Sequence, residues 1–175
     1  DIGSNYISAI AEDKKGFLWL ASPEGILTRY DASAQKGECF NLAGNNVTDR
    51  QTTTFGQLFV DSDDNVWFAT EIGLYYFDQQ KMEFTHFVKG STNKHLNENA
   101  VSDIQELGNG IFLIATDHGG VNIYNKKTGK FTYHKHSKYD GASISNDQLY
   151  SIFRSSDGII WIGNFHGGIN IYDPG

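Results

Sequence analysis

Cysteine is nearly missing from this chain: Cys39 is the only one in 175 residues, which excludes an intrachain disulfide and a thiolate zinc cage. A lone thiol fits cytosol or periplasm, so the compartment stays open on this count. Positive charge is also scarce. Fourteen Lys plus Arg stand against twenty-one Asp plus Glu, a formal charge of −7, and no basic run offers to neutralise a phosphate backbone, so nucleic acid is not an expected partner. No apolar run reaches membrane-spanning length, and the opening Asp1-Ile2-Gly3-Ser4 has neither a basic n-region nor an apolar h-region. Contact with a membrane is therefore expected only through a longer parent chain.

What the sequence does contain is apolar residues at 39%, aromatics at 14% and 19 glycines against 2 prolines. That composition is far from the aromatic-poor, charge-rich signature of disorder. It describes a folded, turn-rich chain, long enough to bury a substantial core.

One pattern recurs four times. Its clearest blocks are Gly16-Phe17-Leu18-Trp19-Leu20-Ala21, Asn65-Val66-Trp67-Phe68-Ala69, Gly110-Ile111-Phe112-Leu113-Ile114-Ala115 and Gly158-Ile159-Ile160-Trp161-Ile162-Gly163. The anchors Trp19, Trp67, Leu113 and Trp161 are 48, 46 and 48 residues apart, close to the period of about 40 to 50 residues expected of propeller blades. Helical repeats of similar length are the rival. They lose because the segments around each anchor are short, β-branched or aromatic, bounded by Gly, Asn, Asp and Ser, and show no sustained 3.6-residue stripe.

Each unit thus reads as four strands, a to d. In the fourth copy strand a is Leu149-Tyr150-Ser151-Ile152-Phe153, strand b runs from Ile159 to Gly163 after a Ser156-Asp157-Gly158 turn, and strand c is Gly168-Ile169-Asn170-Ile171-Tyr172. Strand d shows in earlier copies as Glu38-Cys39-Phe40, Glu83-Phe84-Thr85-His86-Phe87 and Lys130-Phe131-Thr132-Tyr133-His134, while the fourth copy reaches Pro174-Gly175 before its own. The expected fold is all-β, a partial β-propeller of four blades of four-stranded antiparallel meanders, with repeats near 5–45, 55–90, 100–137 and 148–175 and the last incomplete. With its edges unpaired, it is expected to be an excised piece of a longer propeller and to pair with the rest of that propeller or to self-associate. Gly25, Gly73, Gly119 and Gly167, six residues after each anchor, are expected where the chain turns between strands b and c.

These residues resemble a known family. Ile7-Ser8-Ala9-Ile10 with Asp13 and Gly16 to Trp19, Trp67-Phe68-Ala69-Thr70, Val101-Ser102-Asp103-Ile104 with Gly119-Gly120-Val121-Asn122-Ile123-Tyr124, and Trp161-Ile162-Gly163 with Gly167-Gly168-Ile169-Asn170-Ile171-Tyr172-Asp173 are similar to the two-component regulator propeller repeat. The lead-in loops Ser4-Asn5-Tyr6-Ile7 and Ser145-Asn146-Asp147-Gln148-Leu149 match as well. Departures are Leu113 for Trp, single-glycine turns in the first two copies, and a shortened second strand c around Tyr75-Tyr76-Phe77. The resemblance implies the periplasmic sensor region of a Bacteroides-type hybrid regulator, followed in the parent by a β-sandwich, a membrane helix, a histidine kinase, a receiver and a DNA-binding module. It also implies that such regulators look for glycans and switch on operons that degrade them. A glycine-rich nucleotide lid and a phospho-accepting histidine motif are not found in these residues, so the segment is expected to be non-catalytic and to need no cofactor.

With strand a innermost, the b–c turns and the d–a connections lie on one face, around the channel where ligands commonly bind. Asp117 and His118, then Asn164, Phe165 and His166, fall there, the two histidines at the same repeat position. Asn97, Glu98 and Asn99, and Ser145, Asn146, Asp147, Gln148 and Tyr150, come from the long connections. Together they are candidates to hold an oligosaccharide, against the plainer reading that they decorate surface hairpins or satisfy their own turns. Asp61-Ser62-Asp63-Asp64-Asn65 opens like a calcium loop, but Val66 and Ile72 stand where Gly and Glu belong, so it reads as an a–b hairpin. His134 and His136 alternate onto one face of an outer strand without a third ligand, so no metal is expected. The tryptophans at one register read as packing between blades rather than sugar platforms.

Two other functions remain in view. A propeller enzyme such as a sialidase would need an arginine cluster, and Arg29, Arg50 and Arg154 fall at three different repeat positions. A secreted interaction scaffold of the WD kind would carry Gly-His and Trp-Asp signatures, which are not found.

Overall fold

The structure, a computed structural model, describes residues 2–42 and 55–174. Positions 43–45 of the first repeat and Gly175 of the fourth lie outside the described residues. Among the described residues fifteen strands form four antiparallel sheets in sequence order. Blade 1 holds β1 (Ala9–Glu12), β2 (Leu18–Ala21), β3 (Ile26–Asp31) and β4 (Lys36–Asn41); blade 2 holds β5 (Phe55–Val60), β6 (Val66–Thr70), β7 (Gly73–Asp78) and β8 (Glu83–Phe87). Blade 3 holds β9 (Val101–Gly108), β10 (Ile111–Thr116), β11 (Gly120–Asn125) and β12 (Lys130–His134); blade 4 holds β13 (Leu149–Arg154), β14 (Ile160–Asn164) and β15 (Gly168–Tyr172). The four-blade array, its last sheet three-stranded, is the one expected. Among the described residues no helix is long and apolar enough to cross a membrane.

The innermost strands stand side by side, β1 against β5, β5 against β9 and β9 against β13, which places strand a on the channel. Side chains at one register tie neighbours together. The Ile104 amide donates to Gln57 Oε1 at 2.9 Å, and the Ile152 amide donates to Asp103 Oδ2 at 2.7 Å. Burial pushes the Asp103 carboxyl above its ordinary range, against the lowering effect of the amides of Ile152 and Ile104.

Blades pack face to face through the alternation of each strand. Trp19, Ala21 and Leu27 of blade 1 meet Leu58, Val66, Phe68 and Phe77 of blade 2. Trp67, Ala69 and Leu74 then meet Ile104, Phe112, Ile114, Tyr124 and Phe131, and Leu113, Ala115 and Val121 meet Leu149, Ile152, Ile160 and Ile162. Burying one such Phe or Leu contributes about 1.5–3 kcal/mol. Trp161, at the same register, faces outward on blade 4 with 39% of its surface exposed, paired across from Phe153 and Ile171, which are exposed as well.

On the side opposite the b–c turns the a–b hairpins of blades 1 and 2 are tied to the neighbouring blade. The Lys14 amide donates to Asp64, Ser62 donates through its amide and hydroxyl to Glu106, and Lys126 bridges Asp61 and Asp63 at 2.9 Å each. Burial alone would lower the Lys126 ammonium, but hydrogen bonds to Asp63 and Asp61 outweigh it and hold it above the usual lysine range. The calcium-like stretch at Asp61 is the hairpin the repeat register implied: Asp61 Oδ1 accepts the Asn65 and Asp63 amides.

Two expectations need correction. Strand c of blade 2 is not shortened, since β7 has six residues like β3 and β11; the turn before it is one residue shorter, with Thr70 paired to Gly73 where Thr116 pairs to Gly120. Gly73 therefore corresponds to Gly120 rather than to Gly119. Nor is Gly119 the residue that turns the chain, because the positive φ angles fall on His118 at 77° and Gly120 at 71°. A Cβ on Gly119 would instead collide with Asn97 Oδ1 and Thr116 Oγ1, and on Gly167 it would come within 2.7 Å of Ser145 Oγ. Those glycines let the d–a connection approach.

Candidate functional site

In blades 3 and 4 the b–c turn is held by its own blade's lead-in connection. Asn97 Nδ2 donates to Gly119 O at 2.7 Å and the Asp117 amide to Ala100 O at 2.8 Å. In blade 4 the pattern repeats: Asn146 Nδ2 donates to Phe165 O at 2.8 Å, Asn164 Nδ2 to Ser145 Oγ at 2.7 Å, and the Phe165 amide to Gln148 O at 2.9 Å. The blades join where the Gly120 amide donates to Asp147 O at 2.8 Å. The turns and connections thus share one face, as the strand order required.

Most of the polar candidates are engaged in this framework. Asn97 is paired through both its amide and its side chain to the buried Asn122 on β11. Asn99 Oδ1 accepts the Lys89 amide at 2.6 Å. Asn146 Oδ1 accepts the Gln148 amide at 2.8 Å, and Asp147 takes the His136 amide and an ion pair with Lys135 at 3.4 Å. Glu98 pairs with Lys89 at 2.9 Å, and that ammonium, together with the Asn99 amide, holds its carboxyl below the ordinary range.

The aromatic candidates are placed differently. The β13–β14 pairing shifts register between Leu149 and Ser151, leaving Tyr150 as the extra residue of a bulge, a device that re-aims a side chain. Tyr150 is exposed and meets the Phe165 ring edge-on at 5.8 Å between centroids, and Phe165 meets His166 at 4.0 Å. In blade 3 the same three positions hold Ser102, Asp117 and His118. Ser102 Oγ donates to Leu149 O at 2.7 Å, and His118 Nδ1 lies 2.8 Å from Asp117 Oδ1. His118 and His166, at the apices of turns in separate blades, both take positive φ, 77° and 55°, a strained conformation for a residue with a Cβ.

The face therefore offers an exposed aromatic corner, Tyr150, Phe165 and His166, beside a polar pair, Asp117 and His118. Aromatic faces can stack on the C–H face of a ring, while the phenol and imidazoles offer hydrogen bonds. Of the arginines a sialidase would use, Arg29 pairs with Glu38 at 2.8 Å and Arg154 donates to Leu107 O at 2.9 Å, while Arg50 lies outside the described residues. His136 lies beyond the end of β12 and contacts Ile144 O at 2.8 Å through Nδ1, so it does not share an outer-strand face with His134.

Reading the sequence missed three structural roles. Asp13 and Asp61 accept the indole N–H of Trp19 and Trp67, both at 2.9 Å. The Asn of strand c latches the incoming connection: Asn122 accepts the Asn97 amide and Asn170 the Ser145 amide, both at 3.0 Å. Gln57 and Asp103 tie neighbouring inner strands. All three were legible as repeat positions, Asp13 and Asp61 lying six residues before their tryptophans.

Residues 1–24 and 143–166 match the profile of the family described as two component regulator propeller. The repeat expected from the sequence is thus found near both ends of the chain. Among solved structures, the extracellular domain assigned to a hybrid two component system from B. thetaiotaomicron superposes with a TM-score of 0.76 at 23% identity, over 98% of this chain and 24% of that one. A second such domain from the same organism gives 0.71 at 20% identity, over 98% and 24%. Virginiamycin B lyase from Staphylococcus aureus gives 0.67 at 15% identity, over 96% of this chain and 55% of that one. These likenesses establish the propeller fold, and the chain spans about a quarter of the length of the first two. No curated protein matches the chain.

Proposed function

We propose that this chain is a ligand-sensing segment in the periplasmic part of a membrane-anchored hybrid two-component protein. It binds a glycan or glycan fragment on the face formed by the β10–β11 and β14–β15 turns, and the parent passes the bound state to a histidine kinase that sets transcription. The observation that carries this reading is the exposed corner of Tyr150, Phe165 and His166, displayed by a bulge and a strained turn on a stitched array. Aromatic side chains left bare at a channel mouth lose burial that packing would otherwise supply, which favours a ligand as their partner. The family match in residues 1–24 and 143–166 supports the two-component setting.

The hairpin clamps and inner-strand ties suit transmission, since a rigid array moves as a unit when one blade is loaded. Propeller lyases share the fold, and fold alone does not carry chemistry. In the isolated chain the outward apolar face of blade 4 supports self-association.

A panel of plant and host oligosaccharides tested by thermal shift decides the reading. A ligand that binds the native state raises Tm with dose and is recovered intact after long incubation. Cleavage of the oligosaccharide by pure protein, or a flat response across the panel together with an unaltered Tyr150→Ala variant, would sink it.

A further inference from the structure

The b–c turns differ in sequence from blade to blade, yet those of blades 1 to 3 each carry a carboxylate. Glu24 stands in blade 1 where His118 stands in blade 3, since Ala21 pairs with Leu27 as Ala115 pairs with Val121. Glu71 follows Thr70 as Asp117 follows Thr116, each threonine pairing with the glycine that opens strand c. Glu24 and Glu71 are exposed, and neither has an ion pair among the described residues. Asp117 faces His118, which compensates its charge only when protonated. At 2.8 Å that ring covers Asp117 Oδ1 without donating a hydrogen bond to it.

The lysines of the bordering connections are engaged elsewhere. Lys89 pairs with Glu98 at 2.9 Å and Lys135 with Asp147 at 3.4 Å. Lys138 lies over the Tyr139 ring at 4.8 Å, and Lys94 belongs to a stretch laid against β12, where the Phe131 amide donates to Asn93 O. Lys126 holds Asp61 and Asp63 on the opposite side. The turns thus present uncompensated negative charge beside the aromatic corner of Tyr150 and Phe165, on a chain whose formal charge is −7.

An ammonium group is the ligand function that both features favour. The negative faces of the aromatic rings attract it, and so does the carboxylate on the neighbouring turn. A carboxylate or sulfate would meet repulsion from both. We infer that the glycan taken on this face is an oligosaccharide of amino sugars with free amines, one ammonium held by the aromatic corner and Asp117 and others drawn to Glu71 and Glu24. Acidic glycans are excluded by the same charges. This inference rests on the glycan-binding reading above and adds to it the charge class of the ligand.

The test is titration calorimetry on the whole chain, below the pH at which sugar amines lose their protons. The probes are oligomers of glucosamine, N-acetylglucosamine and galacturonate, all of equal length. The glucosamine oligomer is expected to bind at least about tenfold more tightly than its N-acetylated counterpart, and the galacturonate oligomer not at all. Asp117→Asn leaves the backbone bond from residue 117 to Ala100 O in place, so it is expected to keep its Tm and to lose about fivefold in affinity for the glucosamine oligomer alone. Glu83→Gln removes the same charge from the outer strand β8 and is expected to change nothing. Equal losses in the two variants would assign the effect to net charge and overturn the inference. It also falls, with glycan binding intact, if the N-acetylated or acidic oligomer binds as tightly as the glucosamine oligomer, or if only some other neutral saccharide raises Tm. No response to any saccharide removes both readings.

Discussion

The indole N–H of Trp67 donates to the carboxylate of Asp61 at 2.9 Å, and Trp19 does the same to Asp13 at 2.9 Å. Six residues separate the partners in both cases, so a buried ring is locked to the hairpin that precedes its strand. In blade 3 the same two positions hold Leu107 and Leu113, both in the junction with blade 4. Loss of the indole and loss of the carboxylate coincide there.

This coupling predicts a non-additive pair. Asp13→Ala removes the acceptor for the Trp19 indole and for the amides of Lys15 and Phe17, and is expected to cost about 1–3 kcal/mol in urea unfolding. Asp13→Leu with Trp19→Leu, copying blade 3, is expected to lose less than the sum of the two single changes. Strict additivity in that cycle would show the pair to be coincidental neighbours.

Fold and site were legible to different depths. The blade period, the strand order and the inter-blade packing of Trp19 and Trp67 followed from spacing and residue type, because a β-meander imposes both on every copy, whereas Trp161 at the same register faces outward. The spacing misled at Gly73, where a turn one residue shorter moved the structural equivalence to Gly120. The candidate site was half-legible. Repeat position placed Asp117, His118, Phe165 and His166 on the channel face, but amide side chains such as Asn97 and Asn146 look the same in sequence whether they bind a ligand or a neighbouring carbonyl. The bulge that turns Tyr150 outward leaves no composition mark.

Asp103 should carry a pH signature. Its folded carboxyl is held above the ordinary value by burial, so the native state gains relative stability as pH falls through the folded pKa toward about 3.8, and bears the desolvation cost at neutral pH. Asp103→Asn keeps an acceptor for the Ile152 amide, while Gln57 still serves Ile104. It is expected to match or exceed the wild type at pH 7 and to lose that advantage by pH 4. Asp103→Ala is expected to lose about 1–3 kcal/mol at pH 7. A variant Asn protein less stable than Ala at neutral pH would contradict the argument.

His86 acts in the opposite sense. Stacked on Tyr75 at 3.9 Å and partly desolvated there, its exposed imidazole is held below the ordinary histidine value despite its contact with Ile72 O. A base with a depressed folded pKa contributes stability above its unfolded pKa, about 6.5, that is lost as pH falls. Tm measured between pH 8 and pH 5 should decline below about 6.5, and His86→Phe should flatten that part of the curve. An unchanged slope in the variant would assign the decline to other groups.

The outward face of blade 4 sets a prediction about association. Phe153 and Ile169 are 64% and 66% exposed, at the repeat positions that Phe59 and Leu74 use to meet the next blade. Light scattering should show mass rising with concentration, and Phe153→Lys with Ile169→Lys should return a monomer without lowering Tm. A wild-type monomer across a hundredfold concentration range would remove self-association from the account.

The channel-face corner predicts a separation of binding from folding. Tyr150, Phe165 and His166 touch one another at the surface rather than filling a core, so Phe165→Ala and Tyr150→Ala should each change Tm without ligand only slightly. A ring that stacks on sugar contributes mainly in the complex, so each change is expected to weaken a bound oligosaccharide by about tenfold or more, on the scale of 1.4 kcal/mol per decade. His118→Ala, on the neighbouring turn, should weaken it less if the aromatic corner is the platform and His118 only borders it. Titration calorimetry on the three variants ranks them directly. A ranking led by His118, with Tyr150 and Phe165 silent, would move the site to the blade 3 turn, where the strained imidazole and Asp117 would then have to grip the ligand by polar contacts alone.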